Sequence, residues 1–558
     1  MTAEAVPRKE TPTQRVERIK REKASWSILD DIRRYAREGF DSIPDDDLAV
    51  RFRAWGLYTQ GDGGGVRGGA VPYFMMRIRT PNGILTSRMI RTVADLAERY
   101  ARGTVDITNR QNFQLHWLRI EDVPTVWDAL SEVGWTSQGA CGDNTRTVTG
   151  CPLAGVDGEE LIDASPQALA VDRHLNGNPE YGNLPRKFKI TVTGCAHWCT
   201  YPEINDVAFT AIRRGDEVGF SLRVGGGLST RPHMGVRLDA FVRPDEVVGV
   251  AEGVVGIFRD SDELRVNRQK ARMKFLFLTH GWTGERFQRE LEERLGYRLA
   301  PAMPEVPPDA AERDHVGLNA QRTPGRYYAG FSVAVGRISP ERLRWLADLA
   351  DEFGDGTMRT TVAQNVTVLG IPEARLSAFR RVVGKAAEGG TWAPAGDSGR
   401  GSLRDALGDS PFQRGTVACT GSEFCKLAVV ETKRFSLDLI PELERRLPNF
   451  REHLSLHVAG CPNACGQHWI ADIGLQGARV ELDGEEVDGF DVFVGGRVGQ
   501  GATFARRIGA RVPAPKAADA FERLVRAFVG DRADGEPFGA WAARAGDGHV
   551  RALLLGHD

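Results

Sequence analysis

The sequence lacks several features that mark particular classes of protein. Its 558 residues contain no apolar run near the roughly 18 residues that a membrane span needs, and residues 1–25 are too polar for a secretory signal. The net charge is only −2, with 27% charged residues, so nothing in the charge balance calls for nucleic acid. We therefore expect a cytoplasmic protein that binds neither membranes nor nucleic acid.

Signatures of a bound nucleotide are also missing. The short glycine runs at 61–65 and 225–227 lack the flanking strand and helix of a dinucleotide-binding GxGxxG loop, and no flavin-binding extension is evident. If the protein carries out a redox reaction, its electrons must therefore come from a separate protein.

Cysteine is scarce, with eight residues in the chain, but four of them form two tight pairs. Cys419 and Cys425 have the spacing C-x5-C, and Cys461 and Cys465 have the spacing C-x3-C. Thiolates set among turn-forming residues favour a soft metal site, with a cubane iron–sulfur cluster as the leading candidate. The wider gap fits structural zinc less well. Disulfides are disfavoured because thiols stay reduced in the cytosol, and four unrelated buried cysteines are disfavoured because chance rarely places two tight pairs in one region.

An internal duplication is the strongest sign of how the chain is organised. Residues 73–117 predict a strand, a helix over 87–100 and two short strands, and the same order repeats over 328–369. Gly194-Cys195-Ala-His-Trp-Cys199 then matches Gly460-Cys461-Pro-Asn-Ala-Cys465 in the second half. Each unit is typical of half a ferredoxin-like sandwich, and the crevice between two such halves suits a large planar cofactor.

The predicted fold class is mixed α/β (α+β) with about three domains. Residues 1–25 lack apolar periodicity, which predicts a mobile arm or a surface extension. Because the duplication already supplies a twofold arrangement, we expect a monomer. The predicted segments are an N-terminal extension (1–50), a first ferredoxin-like half-domain (51–135), a first α/β domain (136–300), a linker (301–324), a second ferredoxin-like half-domain (325–395) and a second α/β domain (396–558), with further linker candidates at the glycines 61–69 and the prolines 301–308.

The cysteine motifs Cys419-Thr-Gly-Ser-Glu-Phe-Cys425 and Cys461-Pro-Asn-Ala-Cys465 resemble the signature of the siroheme-dependent sulfite and nitrite reductases. The ferredoxin-dependent, actinobacterial-type sulfite reductases are the most similar branch, and the resemblance runs from about residue 50 to about residue 540. It implies that these four cysteines hold a [4Fe-4S] cluster and that Cys465 also binds the siroheme iron. It further implies two α/β domains around a central siroheme, and reduced ferredoxin as the electron donor.

Cations in otherwise apolar segments of the first half agree with this resemblance, because burying the many carboxylates of siroheme requires cations and backbone donors. By resemblance, the segment Thr108-Asn-Arg110-Gln111-Asn112-Phe-Gln114 binds siroheme carboxylates, through Arg110, Gln111, Asn112 and Gln114. The same resemblance implies four catalytic cations that bind the substrate anion and support its protonation. These are Arg77, Arg146, Lys187 and Lys189.

The pair Lys187 and Lys189 favours sulfite as the substrate. Sulfite reductases of this type tend to have Lys-x-Lys here, whereas plant-type nitrite reductases tend to have Lys-x-Asn. A crowded sulfur oxyanion gains more from a fourth positive charge than planar nitrite does. We therefore expect assimilatory, six-electron reduction of sulfite to hydrogen sulfide. Reduction of nitrite to ammonia is the alternative, and a non-catalytic, metal-stapled binding protein is a more distant one.

Two further features concern the remaining cysteines. Some actinobacterial-type sulfite reductases carry a thioether between a tyrosine and a cysteine, and their motifs resemble those around Tyr58 and Cys141; an uncrosslinked pair is the alternative. Cys151, Cys195 and Cys199 have no place in the four-cysteine pattern. We expect them to be reduced structural thiols, with a second metal site or cluster as the alternative.

Overall fold

The computed structural model describes residues 10–60, 71–309, 314–388, 407–408 and 410–556. Within these residues the chain forms four five-stranded sheets. None of the helices in the described ranges is both long and apolar enough to cross a bilayer. The glycines at 61–69 and the boundary predicted between residues 395 and 396 lie outside the described residues.

The N-terminal segment is helical and docked, so residues 10–25 form a surface extension, as one of the two predictions had it, and the alternative of a mobile arm is wrong for them. Thr11 begins the first helix with a capping box. The helix buries Ile19 completely, and Lys20 Nζ donates a hydrogen bond to the Leu184 carbonyl at 2.9 Å. The helices of this region are α1 (Pro12–Glu22), α2 (Leu29–Glu38) and α3 (Asp45–Ala49).

The first half continues with a small α/β unit and then a larger one. The helix predicted over 87–100 is present with these limits. The small unit contains β1 (Leu57–Thr59), β2 (Phe74–Ile78), β3 (Ile84–Thr86), α4 (Ser87–Tyr100), β4 (Val105–Ile107), β5 (Phe113–Leu118) and α5 (Val123–Glu132). The larger unit contains β6 (Thr149–Gly150), α6 (Ser165–Leu175), β7 (Ile190–Thr193), β8 (Val207–Arg214), β9 (Glu217–Val224), β10 (Val236–Val242), α7 (Val247–Arg259), α8 (Lys274–Thr279) and α9 (Gly284–Leu295).

The second half repeats this order. Its small unit contains β11 (Gly317–Ala320), β12 (Arg326–Phe331), β13 (Arg337–Ile338), α10 (Pro340–Phe353), β14 (Thr357–Thr360), β15 (Val366–Pro372) and α11 (Leu376–Glu388). Its larger unit contains α12 (Pro411–Gly415), β16 (Thr416–Ala418), α13 (Lys433–Arg446), β17 (Leu456–Ala459), β18 (Ile473–Leu482), β19 (Glu485–Val494), β20 (Arg506–Pro513), α14 (Ala517–Asp531), α15 (Phe538–Ala545) and α16 (Asp547–Leu555).

The two small units exchange a strand. The sheet orders are β1-β2-β5-β4-β13 and β11-β12-β15-β14-β3, so each unit lends one short strand to the other. Arg337 in β13 pairs with Asp106 in β4, and Met358 in β14 pairs with Leu85 in β3. Helices α4 and α10 pack together over one shared apolar core. The two units therefore form a single pseudo-twofold body.

The two larger units have the same sheet topology. The orders are β6-β7-β8-β9-β10 and β16-β17-β18-β19-β20, with the first three strands parallel and the remaining pairs antiparallel. Each sheet has its own apolar core. The predicted mixed α/β fold with an internal duplication is thus confirmed, and both larger sheets place their carboxyl strand ends where loops can hold ligands.

Candidate active site

The four clustered cysteines of the second half follow two neighbouring parallel strands. Cys419 follows β16 directly, and Cys461 follows β17 after Gly460. Parallel strands end at the same edge of a sheet, so the two loops meet. The Gly460 amide donates a hydrogen bond to Cys419 Sγ at 3.2 Å, and Asn463 Nδ2 donates one to Cys461 Sγ at 3.5 Å. Such donors stabilise thiolate sulfur.

The spacing of these thiols fits a cluster better than a single ion. Burial and then the neighbouring Cys465 thiol raise the pKa of Cys419 to about 11. Burial is also the first cause of the raised pKa values of Cys425 and Cys461, and Cys465 contributes to both. The four groups are thus close, yet among the described residues no three of their sulfurs lie within 4.8 Å of one another. This wider arrangement suits a [4Fe-4S] cluster.

Cys465 joins this cysteine set to the first half of the chain. It is the exposed thiol of the four, and Asn109 Nδ2 donates a hydrogen bond to its carbonyl at 2.7 Å. Its charge also contributes to the pKa values of Arg77, Lys187 and Lys189. The structure therefore brings Cys465, the predicted bridging ligand, and three of the four predicted catalytic cations to one crevice.

Arg77 and Arg146 line this crevice from β2 and from the loop before β6. Burial lowers the pKa of Arg77, but Cys141 and, more weakly, Cys465 raise it above its usual value. Arg146 donates to the carbonyls of Ala140 at 2.9 Å and Gly142 at 2.8 Å. The Nε atoms of both arginines are buried without a hydrogen-bond partner among the described residues. Buried donors of this kind suit the carboxylates of a polyanionic cofactor or a bound anion.

Lys187 and Lys189 precede β7 and complete the predicted set. Burial lowers the pKa of Lys187 to about 7; Cys465 opposes this shift and Arg272 adds to it. Burial and the charge of Arg110 lower the pKa of Lys189 well below its usual value. Since like charges are crowded here, an anion placed among them would be strongly attracted.

Sequence reasoning missed Arg272 and Lys274. Arg272 is held by two bonds to Asp206, with Nη2 2.7 Å from Oδ2 and Nε 3.2 Å from Oδ1, while the Lys189 amide donates to the same Oδ2 at 2.8 Å. Burial and then Arg272 lower the pKa of Lys274 to about 7. The sequence signal for these two residues was a pair of cations next to the apolar run 275–278. The local pattern alone does not show that these cations lie beside Lys189.

Arg110 lies on the same wall but is already held by the protein. Its Nη1 donates to Asn205 Oδ1 at 3.0 Å, and its Nη2 donates to the Thr147 carbonyl at 2.7 Å. Burial and the charge of Arg146 lower the pKa of Arg110 to about 9. Its predicted contact with siroheme carboxylates stays a prediction.

The neighbouring amides of the predicted cofactor segment stabilise the scaffold. Gln111 Nε2 donates to the Thr360 carbonyl at 2.8 Å, and Gln111 Oε1 accepts from the Gly150 amide at 3.1 Å. Asn112 Oδ1 accepts from the Thr80 amide at 3.0 Å. Gln114 Oε1 accepts from Arg77 Nη2 at 3.4 Å. Cofactor contacts of these three side chains remain predictions, whereas their scaffold contacts are observed.

Tyr58 and Cys141 lie on the wall next to Arg146. Burial is the first cause of the raised pKa of Tyr58 and the Cys141 group is the second, so the two side chains are neighbours. A crosslink between them stays a prediction. A small cavity beside Tyr58 has several basic residues in its lining, including Lys20 of the N-terminal helix. The basic side chains are Lys20, Arg53, Arg146, Arg186 and Arg268.

The remaining first-half cysteines pack together elsewhere. Cys151, Cys195 and Cys199 are all buried in a small apolar cluster that includes Tyr328 and Leu369 of the second half. They take no part in the crevice around Cys465.

Comparison with known proteins identifies related sequences over almost the whole chain. The family model described as "Nitrite and sulphite reductase 4Fe-4S domain" matches residues 141–299 and 410–556. The model described as "Nitrite/Sulfite reductase ferredoxin-like half domain" matches residues 68–133 and 319–386. Each model thus matches both halves of the duplication.

Among named relatives, the assimilatory ferredoxin-dependent nitrite reductase of Haloferax mediterranei is 37% identical, over 93% of this chain and 90% of the relative. Sulfite reductase [ferredoxin] 1 of Mycolicibacterium paratuberculosis is 38% identical, over 93% of this chain and 92% of the relative. The solved structure of the Mycobacterium tuberculosis NirA protein superimposes with a TM-score of 0.88 at 36% identity, covering 97% of this chain and 98% of that one.

Proposed function

Since this chain belongs to the nitrite and sulphite reductase family, we propose that it is a ferredoxin-dependent enzyme that reduces sulfite to hydrogen sulfide. The observation that carries this proposal is the crevice in which Cys465 faces Arg77, Lys187 and Lys189. A purely structural metal site would have no use for cations gathered beside its ligands.

The cofactors of this proposal are a [4Fe-4S] cluster and a siroheme. The ligands of the cluster would be Cys419, Cys425, Cys461 and Cys465, and Cys465 would also bind the siroheme iron. When bound, the pair supplies electrons one at a time to an anion held at the siroheme iron. The buried arginine donors fit the siroheme carboxylates or the bound anion.

The side chains of the crevice would bind and protonate the anion. The guanidinium groups of Arg77 and Arg146 can hold an oxyanion and stabilise charge on its oxygens. Lys187, with a pKa of about 7, can hold a proton and release it near neutral pH. Asp206 fixes the backbone of Lys189 and the guanidinium of Arg272, which keeps this wall in place.

Sulfite is preferred because two lysines flank the same crevice. A crowded, doubly charged oxyanion gains more from the second lysine than nitrite does. Reduction of nitrite to ammonia is the alternative, and the similarity to the nitrite reductase of Haloferax mediterranei favours it. Sulfite and nitrite reductases match this chain at nearly equal identity. The proposal of sulfite over nitrite therefore rests on the pair Lys187 and Lys189.

Electrons would enter near Cys425. Leu427 and Val429 follow this cysteine and are 67% and 45% exposed, which gives an apolar patch beside the cluster ligands where reduced ferredoxin can dock. Leu427→Asp should raise the KM for ferredoxin several-fold and leave turnover with methyl viologen, a small donor, unchanged. Equal losses with both donors would contradict docking at this patch.

We also propose a cytoplasmic monomer. The eight cysteines are not joined by disulfides in the structure, as is typical of a reducing compartment. The duplication already supplies within one chain the pseudo-twofold arrangement that two subunits often provide. Sedimentation of the purified enzyme checks the second point, and a stable dimer at micromolar concentration would contradict it.

The experiment that tests the function measures kcat/KM for sulfite and for nitrite with reduced ferredoxin and protein loaded with both cofactors. The absorbance of siroheme and a higher kcat/KM for sulfite are expected. A higher value for nitrite would overturn the choice of substrate. The absence of siroheme absorbance from protein produced with an intact siroheme supply would overturn the enzymatic proposal itself.

A further inference from the structure

The cysteines of the first half occupy the positions that the cluster ligands occupy in the second half. Cys151 follows β6 as Cys419 follows β16, and the C-x3-C pair after β7 matches the pair after β17. The fourth position differs, because Asp157 stands where Cys425 stands. The backbone is nevertheless the same there: the Asp157 and Cys425 amides each donate to the carbonyl four residues earlier at 2.9 Å.

The surface opposite these cysteines lacks the features that suit a siroheme. Ala363 replaces the cation at the position of Arg110, and His453 and Ser455 replace the two lysines before β7. Gly330, which pairs with Thr367, replaces Arg77, which pairs with Gln114.

The chain between the two halves occupies part of the space itself and leaves only a small cavity. A Cβ atom on Gly330 would lie 1.7 Å from the carbonyl oxygen of His315, so this linker segment packs directly on β12. A large planar cofactor is therefore excluded at this second site.

The three thiols of the first-half site, Cys151, Cys195 and Cys199, lie closer together than those of the cluster site. Their sulfurs all lie within 4.8 Å of one another, and Cys195 Sγ is 4.0 Å from Cys199 Sγ. Thiolates bound to one tetrahedral zinc ion at about 2.3 Å are about 3.8 Å apart. A cubane must hold its ligands further apart, because its irons and sulfides lie between them. The distances therefore fit a single ion.

The surroundings favour a thiolate at this position. The Thr193 hydroxyl lies 3.4 Å from Cys195 Sγ, within reach of donating a hydrogen bond to it. A thiolate is the form of cysteine that binds metal. The three side chains are 1 to 3% exposed, as is typical of closed structural sites.

His315 is the candidate for a fourth ligand because it contacts Cys151, although it lies outside the group of three sulfurs that are within 4.8 Å of one another. It is 3% exposed, and its Nε2 lies 4.0 Å from Cys151 Sγ, close to the roughly 3.6 Å between a nitrogen and a sulfur ligand of one zinc ion. Asp157 is a weaker candidate, because its Oδ1 already accepts a hydrogen bond from the Glu159 amide at 3.1 Å.

We propose that Cys151, Cys195, Cys199 and His315 bind one structural zinc ion. The Cys3His set and the C-x3-C spacing are typical of such sites. The ion fastens the linker, through His315, to the first larger unit. One ion pair supports this attachment, because Arg322, in the turn between β11 and β12, lies 2.8 Å from Glu160 of that unit. Asp314 instead pairs with Arg414 of the second half. The proposal does not depend on the substrate or on the enzymatic function.

The test is metal analysis of the holoenzyme produced in medium that contains both zinc and iron. We expect about one equivalent of zinc per chain in addition to the cofactor iron. Absorption at the zinc K-edge should report three sulfur ligands and one nitrogen ligand in wild-type protein, which requires no variant to fold. Cys195→Ser combined with Cys199→Ser should lose the zinc. Cys141→Ser, the matched change at the other buried cysteine of the first half, should retain it.

Four results would overturn the proposal. They are a wild-type protein without bound zinc, zinc that persists in the double variant, iron instead of zinc at a sulfur-rich site, and a Cys195–Cys199 disulfide found by alkylation and mass analysis. His315→Ala tests the fourth ligand separately. Replacement of the nitrogen by an oxygen from water is expected, and an unchanged spectrum would exclude this histidine.

Discussion

Each half of the chain places cysteines after two neighbouring parallel strands, but the two sites have diverged. The backbone is the same in detail: the Lys189 amide donates to Asp206 at 2.8 Å, and the Ser455 amide donates to Asp472 at 2.9 Å. What differs is the side chain that this hydrogen bond positions. A lysine in one half adds charge to a crevice, whereas a serine in the other adds none. Function therefore resides in the side chains placed on a duplicated frame.

Comparing equivalent residues of the two halves also distinguishes those that stabilise the scaffold from those that belong to the candidate site. Gln111 and Gln364 are equivalent, and both use their amide on the backbone of two other segments. Gln364 binds the Ile107 carbonyl at 2.9 Å and the Ala418 amide at 3.1 Å. The second half lacks the cationic crevice, yet its glutamine makes the same pair of backbone hydrogen bonds. The shared hydrogen bonds therefore indicate a structural role for both glutamines. Substitutions at equivalent positions can test where the two halves differ and where they agree.

The largest contrast is expected between equivalent cysteines. Cys461→Ser removes a proposed cluster ligand, so the enzyme should lose the cluster, its siroheme and detectable sulfite reduction. Cys195→Ser is the matched change in the first half and should retain the absorbance of both cofactors. Visible spectra and iron content distinguish the two variants. Loss of cofactors from both would contradict the assignment of separate roles.

A substitution at Lys189 tests the substrate. The pKa of Lys189 is lowered in the empty crevice, and a bound anion favours its charged form. Lys189→Asn removes that ammonium and should lower kcat/KM for sulfite by about 100-fold, the scale of one lost oxyanion contact. The loss for nitrite should be smaller, because a planar, singly charged anion depends less on this lysine. Lys516→Asn makes the same change at an exposed residue and serves as the control. Equal losses for the two anions would remove the reason for preferring sulfite.

The sequence singled out candidate site residues better than their surroundings. Cysteine spacing and basic residues in apolar segments are local signals, and together with the family resemblance they pointed to Cys465 and Lys187, which the structure places near each other. Arg272 escaped because its role depends on a bond to Asp206 across 66 positions in the chain. The docking of Lys20 against Leu184 and the approach of His315 to Cys151 were missed for the same reason. Contacts between distant segments leave no periodic pattern in the sequence.

The pH dependence of turnover should report Lys187. Burial lowers its pKa from 10.5 to about 7, so the ammonium is present below this pH and is lost as pH rises through it. Nitrite is the better probe here, because it stays fully ionised across the neutral range. Its kcat/KM should fall above about pH 7, with a loss of roughly tenfold per unit if one proton is required. The Lys187→Arg variant stays charged, so its kcat/KM should not fall above about pH 7. If the variant keeps the wild-type pH profile, Lys187 is not the group that titrates.

The smallest effects should come from the paired glutamines, and they decide whether Gln111 also binds the cofactor. Gln111→Ala and Gln364→Ala each leave buried backbone groups without a partner, so each should destabilise the protein by about 1–3 kcal/mol. If both residues only stabilise the scaffold, the two variants should lower the thermal transition equally and keep the same siroheme content. A selective loss of siroheme from Gln111→Ala would instead support the contact predicted from its motif, because Gln364 lies in the half without a cationic crevice.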